Sequence, residues 1–198
     1  MREPIAEIFE RANLLRQAVD AHNAGDHETA ASYFKEANRD EIRAWTESLW
    51  GANSEQFLNL RPELRRHPVL AKTERVVKRM PNAEEQRLIL KRDGFHCRFC
   101  GIPVIHKRIR EKVRRTYPVA VPWGKTNVSQ HAAFQAMWLQ FDHLIPHSAG
   151  GTNSIHNVII TCAPCNYGKK DHTIEELGLR DPFSREPSNS DWIGLENF

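Results

Sequence analysis

The sequence predicts an α+β protein in which a helical N-terminal region precedes a small core of two strands and a short helix, held by a four-cysteine site. Three observations predict it. Apolar residues recur at helical spacing near the N-terminus, at Ile5, Ile8, Phe9, Leu14, Leu15, Ala18 and Val19. Two short stretches, Leu139–Ile145 and Val158–Thr161, suit strands instead. The four cysteines come as two C-x-x-C pairs, Cys97/Cys100 and Cys162/Cys165, and the second pair comes directly after the second stretch.

Taken in order, residues 4–22 and 27–50 read as two helices, separated by Gly25-Asp26 with Asp26 placed to cap the second. The turn between them looks like that of a tetratricopeptide-type hairpin, but one unit cannot build a solenoid. Residues 1–60 are therefore expected to form a helical hairpin region that packs on the rest of the chain or on a partner. Residues 61–81 are basic and interrupted by Pro62 and Pro68, and read as a linker. Asn82-Ala-Glu-Glu85 has capping-box spacing and opens a helix to about Arg92, which Asp93-Gly94 stops. Phe95–Gly101 reads as a short strand feeding a metal knuckle. Residues 105–117 carry an apolar stripe, and Thr126 is placed to cap a helix from Asn127 to Trp138. A short helix is expected over Pro164–Lys170, and Thr173-Ile-Glu-Glu176 opens another. In the 173–198 tail, Trp192, Leu195 and Phe198 are the expected anchors on the core.

The net charge of +3 hides a segregation: residues 1–60 carry net −5, residues 61–116 net +11, and residues 117–198 net −3. A concentrated basic block beside a metal site suits phosphate-backbone binding, because Lys and Arg contacts release condensed counterions. It is equally what a solvated helical face looks like. The N-terminus shows no uninterrupted apolar run of the secretory kind, so the cytoplasm is the default expectation. In that setting two C-x-x-C pairs read as a structural Zn²⁺ site before they read as disulfides.

The decisive stretch is Phe141-Asp142-His143-Leu-Ile-Pro-His147, the Gly150-Gly151 loop, Asn157 ahead of an apolar run, and Cys162-Ala-Pro-Cys165-Asn166 with Lys169-Lys170 beyond it. With Cys97-Arg-Phe-Cys100-Gly101 before it, this order resembles the HNH endonuclease family, in the zinc-bearing form where two C-x-x-C knuckles bracket the site. The resemblance covers about residues 87–172 and implies a ββα-metal (His-Me finger) core within residues 82–172, carrying an insert over 102–140. The insert would shape how substrate approaches.

Phosphodiester hydrolysis needs a nucleophilic water, a base for its proton, and positive charge at the scissile phosphate. The resemblance implies His143 as general base and Asp142 as ligand of a catalytic divalent ion. Asn157 would brace the loop and orient His143. Asn166 stands where the family name expects its last histidine, making an H-N-N variant. Asp142 and Asn166 offer hard oxygen donors suited to Mg²⁺ or Mn²⁺. The partner implied is nucleic acid, double-stranded DNA by resemblance, and the products carry 5′-phosphate and 3′-hydroxyl ends. Lys107, Arg108, Arg110, Lys112, Arg114 and Arg115 are the candidates for backbone contact, with Lys169 and Lys170. Two rivals stand beside this reading: a non-catalytic zinc-dependent nucleic-acid-binding module, and an interaction protein that docks through its N-terminal hairpin.

Overall fold

The computed structural model describes residues 3–50, 65–188 and 190–198. The expected end of the second helix at Gly51, the first part of the basic linker and Pro62 lie outside the described residues.

Helix α1 (Ala6–Asn23) turns back at Gly25, whose φ of +83° suits glycine, into α2 (His27–Glu36). Asp26 caps α2 through a 3.0 Å bond from Thr29 N. The helix expected to run on to residue 50 instead breaks at residues 37–39, and α3 (Asp40–Trp50) starts anew. The cause is long-range. The Phe34 carbonyl, which would accept from Asn38 N in a continuing helix, lies 2.7 Å from His131 Nε2. The Asn38 side chain meanwhile accepts from Ala132 N at 2.7 Å and from Arg43. Burial pushes the His131 imidazole down to about 4, so it is neutral and donates to Phe34. Ile8, Leu15, Val19, Phe34, Ile42 and Leu49 are buried in the same core as the rest of the chain, whereas Phe9 is half-exposed.

The capping box at Asn82 opens α4 (Ala83–Asp93), which Gly94 ends. Phe95–Gly101 makes no regular strand; a single antiparallel bridge, His96 with Pro103, closes the knuckle. Next in the chain is α5 (Lys107–Thr116). The helix expected over 127–138 is two pieces, a single turn at Asn127–Ser129 and α6 (Ala132–Ala136). Ser129 folds back on Thr126 and consumes the capping signal in a closed turn. His131 is the residue that caps α6.

Strands β1 (Leu139–His143) and β2 (Val158–Cys162) pair antiparallel, Phe141 opposite Ile160 and His143 opposite Val158. Helix α7 (Ala163–Lys169) leaves β2 directly. Together these make a mixed fold of helices around a small two-stranded sheet. Thr173–Glu176 forms reciprocal capping bonds but leads only into a turn, which Gly178 ends at a φ of +60°; the Glu176 carboxylate also accepts from Arg66 and His67. Leu195 and Phe198 are buried, and Trp192 Nε1 donates to Val104 O at 3.0 Å. No helix among the described residues is long and apolar enough to cross a membrane.

Candidate metal centre and nuclease site

The two cysteine knuckles meet because backbone pairing brings them together. Arg98 N donates to Ile160 O at 2.8 Å, which lays the first knuckle along β2, and Cys162 and Cys165 sit at the β2–α7 junction. Cys97, Cys100, Cys162 and Cys165 place their sulfurs within 4.8 Å of one another, with Cys100 and Cys162 at 3.7 Å. Bonds of about 2.3 Å to one tetrahedral ion require sulfur separations near that value. Burial, then the neighbouring thiols, push Cys162 up, and the Cys100 contact pushes Cys165 up. Four thiols so placed ionise together only against a cation. The donor set and geometry fit a structural metal.

The clamp also holds two polar segments close together. β1 ends in Asp142-His143, both buried, and α7, which follows the paired strand β2, carries Cys165-Asn166 in its first turn. Asp142 Oδ1 lies 3.2 Å from Lys169 Nζ, while Asp142 Oδ2 is buried with no hydrogen-bond partner. Burial raises this carboxyl to about 7, against the pull of Lys169. An unpartnered buried carboxylate oxygen is a polar group in want of a ligand. It fits a divalent ion in donor chemistry, and partly buried Asn166 adds an amide oxygen on the neighbouring helix.

His143 is largely buried, which pushes its imidazole below the ordinary histidine value. His147, Lys169 and Arg79 add to that, and the Asn153 hydrogen bond opposes it. Its Nε2 lies 2.9 Å from Asn153 Oδ1. Asn153 Nδ2 in turn donates to the carbonyls of Lys78 and Met80 at 2.9 and 3.0 Å, so its oxygen is the atom that faces the ring. Nε2 therefore carries the proton and Nδ1 is the basic nitrogen. Sequence reasoning did not single out Asn153. The only available signal was an asparagine just after the paired glycines.

Asn157 is bonded to both ends of the loop between the paired strands. It accepts from Ile145 N at 2.8 Å and donates to Ile145 O at 3.1 Å and Thr152 O at 2.8 Å, tying both ends of the 145–152 loop. No direct bond joins it to His143; that contact belongs to Asn153. A Cβ on Gly151 would fall 1.8 Å from the Ile145 carbonyl, so only glycine allows the loop to close.

Several expected nucleic-acid contacts are used internally. Arg110 is 3% exposed, its guanidinium 3.7 Å from the Trp123 ring centre and 4.5 Å from that of Trp138. Arg114 pairs with Glu111, Arg108 with Glu196, and Lys112 donates to the Phe198 backbone oxygen. Lys169 is 1% exposed and donates to the carbonyls of His143 and His172 besides pairing with Asp142. Arg110 and Lys169 thus face the interior, correcting the expectation for both. Lys107, Arg115 and Lys170 remain exposed.

The strand end carrying Asp142-His143 and the helix carrying Asn166 thus lie beside the four clustered thiols. Residues 132–181 match the model of the HNH endonuclease family, a stretch that runs from α6 through Asp142, His143, Asn157, Cys162, Cys165 and Asn166 to beyond Lys169. The match covers about a quarter of the chain and leaves Cys97 and Cys100 outside it. It supports nuclease activity on nucleic acid at that general level. No curated protein and no solved structure matches the chain.

Proposed function

We propose that the protein is a divalent-metal-dependent HNH endonuclease that hydrolyses DNA phosphodiester bonds, with zinc on its four cysteines. The observation that carries the reading is the four-thiol clamp, which fixes the β1 end bearing Asp142-His143 against the α7 start bearing Asn166. Asp142 Oδ2 and the Asn166 amide oxygen would hold Mg²⁺ or Mn²⁺, which supplies positive charge at the scissile phosphate. His143 Nδ1, kept free by the Asn153 bond on the other nitrogen, accepts a proton from the attacking water. The water oxygen bonds to phosphorus as the P–O3′ bond breaks, leaving a 5′-phosphate, and the 3′ oxygen leaves as a hydroxyl once protonated. Asn157 and Gly151 keep the 145–152 loop closed beneath the imidazole.

The rival reading, a non-catalytic zinc module, draws on the Lys169–Asp142 pair, which would make that carboxylate structural. Nicking of supercoiled plasmid separates the two. With added Mg²⁺ or Mn²⁺ the wild type nicks, and His143→Ala is slower by about 10²–10⁴-fold. Equal rates in the two proteins would remove the assigned role of His143, and no nicking in either would favour the rival.

A further inference from the structure

The segment that reads as a basic linker is bound to the loop beside His143. Leu70 N donates to Ser148 O at 2.8 Å, His147 Nε2 lies 2.8 Å from Val76 O, and Asn153 Nδ2 holds the carbonyls of Lys78 and Met80. Its other end is anchored by Glu176, which accepts from His67 N at 2.9 Å, and by the Arg65–Asp171 pair. These bonds use backbone atoms and two side chains of the strap. They leave Arg66, Lys72, Lys78 and Arg79 exposed, with no carboxylate partner among the described residues. Val77, just before Lys78, is 99% exposed.

The ion pairs among the described residues give these four cations no internal role on a segment held mostly by main-chain bonds. Unpaired surface lysines and arginines held at a fixed height next to a hydrolytic site are placed to neutralise successive phosphates. We infer that residues 65–81 form a strap that grips the phosphate backbone of the nucleic-acid substrate through Lys72, Lys78 and Arg79 and aligns it with His143. The inference rests on the nuclease reading for its substrate, but on the strap's own geometry for its placement. The same Asn153 side chain that fixes the His143 tautomer fixes the strap at Lys78–Met80, so grip and base share one anchor.

The test is fluorescence anisotropy of labelled 20-base-pair DNA and RNA duplexes with the zinc-loaded full chain and no added Mg²⁺ or Mn²⁺, over a salt series. Lys72→Ala/Lys78→Ala/Arg79→Ala is expected to weaken binding at least tenfold. The slope of log affinity against log salt should shrink by about 2 to 3. Lys72→Arg/Lys78→Arg should keep both, which excludes a folding defect at these positions. The duplex whose binding falls identifies the backbone gripped, and loss on either one supports the strap. An unchanged slope in the alanine variant, with wild-type binding intact, overturns the strap and leaves the nuclease reading standing. Wild-type protein that holds neither duplex overturns the strap, and plasmid nicking then decides the nuclease reading separately.

Discussion

Helix α5 and the strap carry the same charge pattern, six basic residues and one glutamate each, over residues 107–116 and 65–81. The fold uses them in opposite ways. In α5 the guanidinium of Arg110 packs in the corner between two perpendicular indoles, Arg108 and Arg114 meet glutamates, and Lys112 meets the Phe198 backbone oxygen. Only Lys107 and Arg115 stay exposed without a partner among the described residues. In the strap, carbonyls and amides make most of the contacts, Arg65 and Arg75 are used internally, and the other four cations have no carboxylate partner among the described residues. A basic run in a sequence thus says little about binding until the backbone's own bonds are known. Where side chains provide the attachment, as in α5, the charge is spent; where the main chain provides it, as in the strap, the charge remains available.

Substitutions sharpen this contrast, and the largest effect is expected where a cation is most deeply used. Lys169→Met leaves Asp142 buried beside the two carbonyls that Lys169 had bonded, and should cost roughly 3–5 kcal/mol in denaturant unfolding. A loss within about 0.5 kcal/mol would mean that Lys169 is not the internal counter-ion of Asp142. Arg110→Ala removes a desolvated cation–π contact with two indoles and leaves a cavity beside Trp123 and Trp138, for about 2–4 kcal/mol. Its residual binding, measured on folded protein, should keep the wild-type salt slope; a reduced slope would make it a phosphate contact after all.

Smaller effects are expected at the strap's anchor. Burial would raise the Glu176 carboxyl, but the amides of Thr173, His67 and Arg66 outweigh it and bring it to about 2, well below the usual glutamate value. A depressed folded-state pKa makes the anchoring complete above about 4.5, declining as pH falls and gone near 2. Glu176→Gln should therefore speed hydrogen exchange of the Arg66 and His67 amides about tenfold at neutral pH. Unchanged protection would show the strap is held elsewhere. The smallest effect belongs to Lys107→Ala/Arg115→Ala, with stability within about 0.5 kcal/mol of wild type and binding within about threefold. A larger loss of binding would return α5 to the interface.

What could be read from the sequence was whatever rests on local signals. β1, β2 and α7 appear within a residue or two of their expected bounds, because an apolar run, a C-x-x-C pair and a proline near the helix start are all short-range. The break of α2 at residues 37–39 was not legible, since it is made by His131 and Ala132, about 95 residues away. The same holds for the cations. Nothing near Arg110 announces that Trp123 and Trp138 will close over it, and the spacing of Lys169 from Cys165 does not say that it turns inward to Asp142. In the loop, the glycine pair and Asn157 were legible as a brace, but the partner of His143 was not. Asn153 acquires that role only because residues 78–80 fold across it.

Metal content and cleavage, read on one preparation, bear hardest on the idea that a thiol-bound metal sets a strand and a helix in register over one phosphate. After mild chelation the wild type should keep about one zinc per chain and cut nothing, then cut again when Mg²⁺ or Mn²⁺ is restored, while His143→Ala keeps its zinc and stays inactive. A chain that folds and cuts with no zinc bound, or a His143→Ala protein that cuts at the wild-type rate, would contradict it.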